Sequence, residues 1–442
     1  MTSEMRLTEE YAAAQDRVDP LARFRSQFEI PTADGTKPVV YLTGNSLGLM
    51  PKEARTAVND ELDDWARLGV DGHMNARRPW YSYHELFREA GARLVGAKPG
   101  EVVMMNSLTV NLHLMLASFY RPRGKRTRIL IEGGAFPSDR YAVMSQAAWH
   151  GVPEGGGLIE ASPREGEDVL RTDDLVGLIA ERGEEIAVVL LSGVQFFTGQ
   201  WFDMERITKA AHEQGCTVGF DLAHAAGNVP MGLHDWGVDF AVWCSYKYLN
   251  AGPGAVAGCY VHDRHGRDPR VKRLAGWWGN EPATRFDMDK NIDFVPRLGA
   301  DGWQLSNPPI FAMAPLRASL EMFDSVGINA VREKSVRLTA YLEWALRQVF
   351  DDRFSIITPE DPAARGCQLS IRMTQGAEDL SRALTARGVV VDHRKPDVIR
   401  LAPTPFYNTF HDVWRVAMAF RDALVQSDLG NHTPASASAP PS

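Results

Sequence analysis

Short apolar runs alternate with helix-like stretches between residues 101 and 261, and this alternation constrains the fold more than any other feature of the chain. Each run has the length and apolar character of a buried strand. The six strand candidates are Glu101–Met105, Arg128–Ile131, Ile186–Leu191, Thr217–Phe220, Phe240–Cys244 and Ala257–Val261. Because apolar strands separated by helices are covered on both faces, the pattern predicts an α/β fold with a mainly parallel sheet flanked by helices.

The chain has 442 residues, too many for one ordinary hydrophobic core. Past residue 315, a helical stretch to about 350 is followed by strand candidates at Cys367–Arg372 and Val389–Val391 and a helix at His411–Val425. Residues 1–35 have an amphipathic helical pattern, and a short strand follows at Val39–Leu42. We predict an N-terminal segment that packs with the small domain (1–50), a large domain (51–315), a smaller α+β domain (316–428) and a disordered Ala/Ser/Pro-rich tail (429–442).

Composition excludes several classes of function. The formal net charge of −8 argues against a general nucleic-acid binder, which needs a basic face. No apolar run approaches the roughly 20 residues of a membrane helix, and the first 29 residues lack the apolar stretch of a secretory signal. The four cysteines have no CxxC spacing, so we predict no metal site and a cytoplasmic location.

Two residues suggest the chemistry. Asp221 ends the apolar run Val218–Asp221, and Lys247 lies between two tyrosines just before the turn Ala251–Gly254. Pyridoxal phosphate requires a lysine that holds it as a Schiff base and a carboxylate that keeps its ring nitrogen protonated. The alternative, a surface lysine, is disfavoured because the flanking strand and glycine turn place Lys247 near a strand end. Tyr246 would bond the phosphate or relay a proton.

Two polar clusters lie directly before helical stretches. Asn106–Thr109 precedes an apolar helix whose first amides and Thr109 hydroxyl suit a phosphate. A plain helix cap by Ser107 is the favoured alternative for this motif taken alone. Phe136–Asp139 offers a ring to stack on a pyridine and a carboxylate to bond its phenolic oxygen, or it is a turn with one buried phenylalanine.

Three more candidate site residues each have a simpler structural explanation. Ser192 follows a strong strand and suits either a phosphate contact or a simple turn. His224 would bond the cofactor or Asp221, unless it is a structural histidine. Arg400 would bind a substrate carboxylate through its guanidinium, unless it is a solvated strand-end arginine. The segments Gly276–Asn280 and Trp303–Pro309 are rich in aromatic and amide groups, which suit an aromatic substrate's pocket or a domain or subunit interface.

Several of these motifs together resemble the kynureninase family, fold-type I pyridoxal-phosphate hydrolases of the aspartate-aminotransferase superfamily. The resemblance runs from about residue 20 to 425. The shared segments are Gly44–Gly48, Leu108–His113, Phe136–Asp139, Phe220–Ala225, His234–Phe240, Trp243–Gly252, Ser306–Pro309 and Tyr407–Asp412. It implies the transferase-like fold of that superfamily and a homodimer with shared active sites.

The resemblance also implies a role for each candidate. Lys247 would carry the Schiff base, Asp221 would pair with the pyridine nitrogen, and Phe136 would stack on the ring, with Asp139 and His224 near the ring oxygen. The phosphate would be surrounded by Leu108, Thr109, Ser192, Tyr246, Trp277 and Asn307, the last two from the partner subunit. Ser46, His73 and Asn307 would face the aromatic end of the substrate, and Arg400 would take its α-carboxylate. Lys247, Tyr246 and Asp221 would be the catalytic residues.

The implied activity is hydrolytic cleavage of the Cβ–Cγ bond of L-kynurenine, and of its 3-hydroxy derivative, to anthranilate or 3-hydroxyanthranilate and L-alanine. Such a reaction belongs to tryptophan catabolism or pyridine-nucleotide synthesis. One rival is another fold-type I enzyme, such as an aminotransferase or a cysteine desulfurase, which requires a reactive cysteine. Cys367 begins an apparent strand and suits a buried thiol better. A cofactor-bound regulator without catalysis is the second rival, although no DNA-binding segment is visible.

Overall fold

The computed structural model describes residues 5–289, 293–350 and 352–430. Within these ranges no helix is both long enough and apolar enough to span a membrane. Most of the predicted tail, residues 431–442, lies outside the described residues. Residues 429 and 430 belong to the last helix, which ends at Gly430.

Thirteen strands are present in the described chain. They are β1 (Val40–Tyr41), β2 (Val102–Met104), β3 (Arg128–Glu132), β4 (Leu158–Ala161), β5 (Ile186–Ser192), β6 (Thr217–Asp221), β7 (Phe240–Trp243), β8 (Gly258–Val261), β9 (Phe354–Ile356), β10 (Leu369–Met373), β11 (Val389–Val390), β12 (Asp392–Arg394) and β13 (Val398–Leu401). Seven of them form one large sheet in the order β2-β8-β7-β6-β5-β3-β4. Strand β8 runs antiparallel to both neighbours, and β7, β6, β5, β3 and β4 are parallel.

Twelve α-helices accompany these strands within the described residues. They are α1 (Glu9–Arg17), α2 (Lys52–Leu68), α3 (Gly72–Asn75), α4 (Arg88–Val95), α5 (Leu108–Phe119), α6 (Pro137–Trp149), α7 (Thr172–Arg182), α8 (Met204–Glu213), α9 (Asp263–Gly266), α10 (Ile310–Arg347), α11 (Ala377–Ala386) and α12 (Phe410–Gly430). The long α10 crosses residue 315, where we predicted a domain boundary, and it bends at Gly327, whose φ of 76° interrupts the helical backbone.

Both faces of the large sheet are covered, as the continuous apolar strands predict. Along β5, Val189 and Leu191 pack into the core on one face, whereas Val188 and Leu190 pack into the core on the other. Strand side chains alternate between faces, so an apolar run with no polar gap is required for this double burial. The α/β class with a mainly parallel sheet is therefore confirmed.

All six predicted strands of this sheet are present, each within one residue of its expected ends. The sequence pattern missed β4, which is short, lies at the sheet edge and exposes Glu160. The predicted helix over residues 1–35 is wrong: α1 ends at Arg17, and a 3-10 turn follows at Ala22–Gln27. Pro20 explains the break, because proline lacks an amide hydrogen and restricts the residue before it.

A second, antiparallel sheet in the order β12-β13-β10-β9 has its own apolar core against α12. The N-terminal segment joins this region, since β1 pairs with β11 and Arg25 forms an ion pair with Asp412 at 2.7 Å. A side chain at Gly44 would collide with Thr404 and Tyr407. A side chain at Gly48 would collide with the loop at Lys247. The segment from Arg25 to Gly48 is thus held by residues between 389 and 412 and by the lysine loop.

Candidate functional site

Three neighbouring parallel strands each end on a polar residue at the same edge of the large sheet. Glu132 ends β3, Ser192 ends β5 and Asp221 ends β6. Ser192 and Asp221 are paired in the strand register. Because ligands of open α/β sheets bind beyond the carboxyl ends of the strands, this edge is the expected place for a site.

A pocket enclosing about 540 Å³ of empty space, part of it open to solvent, lies at this edge. Nine of the sequence-predicted site residues line it together: Leu108, Thr109, Phe136, Asp139, Ser192, Asp221, His224, Tyr246 and Lys247. Glu132, Ser138, Val194, Phe196 and Ala223 complete the wall. Residues separated by more than 130 positions in the chain thus meet in one cavity, as the strand-end argument predicts.

Lys247 lies in the loop after β7 with its amine inside the pocket. Its Nζ is 3.0 Å from Nε2 of His224 and 5.8 Å from the centre of the Phe136 ring. Burial, followed by the positive charges of Lys247 and Arg400, lowers the pKa of His224 well below its usual value. The imidazole is therefore neutral at physiological pH, so its nitrogen can accept a hydrogen bond from the lysine ammonium.

Three carboxyl groups share the pocket with this one lysine. Burial raises the pKa of Asp221, against the opposing effects of the Ala223 amide and the charge of Lys247. Burial also raises the pKa of Asp139, and the neighbouring Asp221 and Glu132 raise it further. A buried carboxylate is costly without a cationic partner. The pocket consequently favours a ligand that brings positive charge to Asp221.

The helices α5 and α6 begin beside each other at the pocket. Thr109 lies in the first turn of α5 and Ser138 in the first turn of α6, and their hydroxyl oxygens are 2.9 Å apart. Ser107 occupies the N-cap position of α5, but its side chain makes no capping hydrogen bond. The plain-cap interpretation of this motif is therefore wrong. Helix amides and hydroxyls at such ends suit a phosphate.

Four predicted site residues lie outside the pocket of this single chain. Ser46 and Asn307 are exposed in loops, and His73 is exposed in α3 with its ring 5.5 Å from that of Trp80. Trp277 is partly exposed, and its indole donates a hydrogen bond to the carbonyl oxygen of Arg285. Their predicted roles remain predictions, because one chain does not bring them to the pocket.

Arg400 occupies an intermediate position on β13. Its side chain is buried and hydrogen-bonds the carbonyl oxygen of Phe196, a pocket residue, at 2.5 Å, and it also pairs with Asp392. The interpretation as a solvated strand-end arginine is therefore wrong. The Nε atom is buried and has no hydrogen-bond partner among the described residues. A guanidinium has five N–H groups, of which these contacts use two, so donors stay available for an anionic ligand.

Sequence reasoning missed two polar residues of the pocket. Glu132 directly follows Ile129–Ile131, so the strand-end argument that identified Asp221 applies to it equally. Ser138 lies inside the Phe136–Asp139 motif, for which only the aromatic ring and the carboxylate were predicted to bind a ligand.

These features fit pyridoxal phosphate. A lysine amine faces the pocket, and two helix N-termini with hydroxyls lie close by. The buried carboxyl of Asp221 has no cationic hydrogen-bond partner in the part of the chain that the structure describes. Two buried atoms in the pocket, Oδ1 of Asp139 and Nδ1 of His224, have no hydrogen-bond partner among the described residues. Unpaired buried polar atoms indicate a place for ligand groups.

Solved structures share this fold at low sequence identity. The cysteine desulfurase CsdA from Escherichia coli is 20% identical with a TM-score of 0.74, over 92% of this chain and 99% of that one. A C-DES mutant with glycine covalently linked to its PLP cofactor is 17% identical, also with a TM-score of 0.74, over 90% of this chain and 98% of that one.

Curated relatives are much more similar. Kynureninase from Myxococcus xanthus is 54% identical over 92% of this chain and 95% of its own length. Kynureninase from Salinispora tropica is 54% identical over 95% of this chain and 98% of its own length. The family model described as the kynureninase C-terminal domain matches residues 331–420. The chain therefore belongs to the kynureninase family.

Proposed function

We propose that this protein is a pyridoxal-phosphate-dependent hydrolase that cleaves the Cβ–Cγ bond of L-kynurenine to anthranilate and L-alanine. It would act likewise on 3-hydroxykynurenine. The observation that carries the proposal is the placement of the Lys247 amine beside a neutral His224, at the strand edge where Asp221 lies without a cationic hydrogen-bond partner. The high identity to relatives named kynureninase over nearly the whole chain supports the choice of substrate.

Asp221, Lys247 and His224 would perform the central chemistry. When bound, the cofactor supplies an electron-accepting ring that stabilises negative charge on the substrate carbon next to the amine. Asp221, as an anion, would keep a proton on the ring nitrogen. Once released by the incoming substrate amine, Lys247 would move protons at the substrate carbons. His224, 3.0 Å from Nζ, would hold the lysine in position.

Other residues would bind and orient. Thr109, the α5 amides, Ser192 and Tyr246 would hold the phosphate, and Phe136 would cover one face of the ring. Arg400 would take the substrate α-carboxylate through its free donors, since guanidinium groups bind carboxylates with two parallel hydrogen bonds. The reaction consumes one water, which adds to the carbonyl carbon next to the aromatic ring.

Replacement of the lysine tests the proposal. The variant Lys247→Ala should lose anthranilate formation by at least about a thousandfold, within the range expected for removing a positioned proton-transfer group. It should also lose the absorbance and the borohydride-reducible linkage of lysine-bound cofactor. Lys209→Ala, at an exposed lysine on α8, is the matched control and should keep all three properties. A Lys247→Ala variant that retains turnover and the linkage would refute the assignment.

We further propose that the protein works as a homodimer with shared active sites. Large apolar side chains are exposed on α2, on α3 and at the start of α10, including Trp65 (57% exposed), Met74 and Phe311. His73 adjoins Met74 and Asn307 precedes α10, so both accompany this apolar surface. Exposed apolar patches of this kind mark interaction sites. A second copy seated here would bring Asn307 and Trp277 toward the pocket of the first.

Complementation between inactive variants tests the shared site. If Asn307 acts across the interface, mixing Lys247→Ala with Asn307→Ala protomers should restore about one quarter of wild-type activity, because half of the reassorted dimers hold one intact site. Mixing each variant with itself is the control. No recovery, with subunit exchange shown by sedimentation, would place Asn307 in its own chain's site.

The likeness to cysteine desulfurases supports the fold and not that activity. All four cysteines are buried, and burial raises the pKa of the Cys367 thiol to about 12. A nucleophilic cysteine must be an accessible thiolate. Incubation with cysteine should therefore release no sulfide, whereas sulfide production comparable to anthranilate production would favour the rival.

The location, the metabolic role and the domain organisation of the protein complete the proposal. Four free cysteines suit a reducing compartment, so we propose a cytoplasmic location and a role in tryptophan catabolism or pyridine-nucleotide synthesis. We propose that residues 51–315 form the cofactor-binding domain and 316–428 a smaller domain, with residues 1–50 packed against the latter. Comparing turnover of kynurenine with that of its 3-hydroxy derivative will show which substrate the enzyme prefers.

A further inference from the structure

Glu132 lines the pocket but has no role in the proposed chemistry. Its side chain is buried, and its Oε1 lies 2.5 Å from the hydroxyl oxygen of Ser192. Its Oε2 accepts a hydrogen bond from the Ser192 backbone amide at 3.2 Å. Glu132 therefore contacts Ser192 through both carboxyl oxygens.

The groups that face Glu132 leave its charge without compensation. Asp139 and Asp221 are on the pocket side, together with Lys247. A second cavity that Glu132 also lines includes Asp168, Arg394 and Lys395. Yet among the described residues no cation hydrogen-bonds or ion-pairs with Glu132. Burial, with the Asp221 charge as a smaller contribution, raises its pKa against the opposing Ser192 hydrogen bonds. Because Glu132 is buried beside two carboxyls and no cation bonds to it among the described residues, its surroundings favour the neutral acid over the ion.

The positions of the hydrogens depend on the charge of Glu132. If Glu132 is neutral, its proton resides on Oε1, because Oε2 accepts the Ser192 amide, and the proton is donated to the Ser192 hydroxyl oxygen. The O–O separation of 2.5 Å fits this direction as well as donation from the Ser192 hydroxyl to an ionised carboxylate. A hydroxyl carries one hydrogen, and Ser192 then keeps its own for another acceptor in the pocket. An ionised Glu132 would instead take that hydrogen. Phosphate and phenolate oxygens only accept hydrogen bonds at neutral pH. They can therefore bond the Ser192 hydroxyl only when its hydrogen is free, which requires a neutral Glu132.

We propose that Glu132 is a positioning residue, held in its protonated form, that directs the Ser192 hydroxyl hydrogen toward an anionic oxygen of the cofactor. The part concerning the cofactor rests on the proposed function, in which Ser192 binds pyridoxal phosphate. The protonation of Glu132 is a property of the protein itself and is measurable without any ligand.

Cofactor affinity tests the positioning role. In titrations of the cofactor-free protein with pyridoxal phosphate, Glu132→Ala and Ser192→Ala should each weaken binding about tenfold, the effect of one lost hydrogen bond to a charged group. The double variant should bind no more weakly than either single one. Glu132→Gln should recover most of the affinity, because its amide nitrogen donates to the Ser192 hydroxyl and its oxygen accepts the Ser192 amide. Glu160→Gln, an exposed glutamate on the neighbouring β4, is the control.

The opposite pattern overturns the proposal. If Glu132→Gln binds the cofactor as weakly as Glu132→Ala, the wild-type residue is an anion. Additive losses in the double variant would show that Glu132 does not act through Ser192.

Infrared spectroscopy of the cofactor-free protein provides a second, independent measurement. The protonated-carboxyl absorbance of the wild type should lose one component in Glu132→Gln, whereas Glu160→Gln should keep that component, and any component from Asp139 should remain in both variants. If the absorbance is unchanged in Glu132→Gln, the proposal fails even if Glu132→Ala does not fold. A wild-type protein that shows the Glu132 component but binds no pyridoxal phosphate would refute the proposed function and leave the protonation of Glu132 established.

Discussion

Two buried aspartates at opposite ends of neighbouring strands have opposite environments. Asp239 directly precedes β7 at the amino edge of the parallel strands, and Asp221 ends β6 at the carboxyl edge. Asp239 accepts hydrogen bonds from His212 at 2.9 Å, His265 at 2.6 Å and the Val218 amide at 2.7 Å, and it also pairs with Arg264. Asp221 accepts a hydrogen bond from the Ala223 amide at 2.7 Å, and the carboxyl of Asp139 hydrogen-bonds to it as well, so neither of these partners is a cation.

The pKa values follow from these partners. Burial raises the pKa of Asp239, but hydrogen bonds from His212 and His265 and the charge of Arg264 outweigh it and hold the pKa well below its usual value. Burial dominates at Asp221 and raises its pKa. The carboxylate of Asp239 thus has several protein partners, whereas that of Asp221 has few and leaves room for the cationic ligand group that we propose. If Asp221 binds the cofactor as proposed, the number of partners separates a structural aspartate from a functional one where burial does not.

The largest expected effect is the loss of activity in Asp221→Asn. We expect kynurenine cleavage to fall about 10²- to 10³-fold, the effect of removing a single electrostatic partner of the reacting group. The melting temperature of the cofactor-free protein should stay the same or rise, because a buried and poorly paired carboxyl has been removed. Steady-state kinetics and thermal unfolding measure the two effects. A large loss of stability would show that Asp221 is structural.

Asp239→Asn is expected to lower stability and to leave activity unchanged. Removing this charge leaves His212, His265 and Arg264 without their partner, so the free energy of unfolding should fall by about 3 kcal/mol. Specific activity of the folded protein should be unchanged. Denaturant titration measures the loss, and Asp235→Asn, at an exposed aspartate on the preceding turn, is the matched control. Equal effects of the two substitutions would contradict the structural role of Asp239.

The pH dependence of stability should separate the two ends of the sheet. At Asp239 the folded-state pKa is lowered, so its contribution is fully present above the unfolded value near 3.8 and is lost as the pH falls below it. At Asp139 the folded-state pKa is raised, so folding takes up a proton. Stability of the cofactor-free protein should then fall as the pH rises from 3.8 toward the raised pKa.

Asp139→Asn isolates the contribution of the pocket to this pH dependence. It should remove part of the decline in unfolding free energy with rising pH and leave the acid-side loss from Asp239 in place. Denaturant titration over a pH series of the cofactor-free protein measures both slopes. If the variant and the wild type have the same slope throughout, the carboxyl of Asp139 does not titrate abnormally.

The smallest effect should come from His212→Ala. Its side chain is partly exposed, and Asp239 keeps three other partners when it is removed. A loss of about 1 kcal/mol in unfolding free energy is expected, the usual contribution of one hydrogen bond. A loss as large as that of Asp239→Asn would mean that one histidine, and not the whole set of partners, stabilises the carboxylate.

Much of the fold and site follows from the sequence because both depend on local patterns. Uninterrupted apolar runs identified six strands of the large sheet, and polar residues at their ends identified Ser192 and Asp221 as site candidates, which the strand register places side by side. The same reasoning stopped one residue early at Ile131 and so missed Glu132.

What could not be predicted depends on tertiary pairing. Arg400 is buried because antiparallel pairing of β12 with β13 places it opposite Asp392. The short edge strand β4 has too few apolar residues for its pattern to be distinctive. Trp277 and Asn307 lie outside the pocket of one chain, so their predicted roles depend on the homodimer that we propose, on which local patterns carry no information.

The attachment of the N-terminal segment has a consequence for biosynthesis. Val40 pairs with Val389, Arg25 pairs with Asp412, and Gly44 packs against Thr404. A ribosome makes the first fifty residues long before it releases these partners. Residues 25–44 of the nascent polypeptide therefore stay unpaired until residues 389–412 have been translated. Only then can this segment cover the lysine loop.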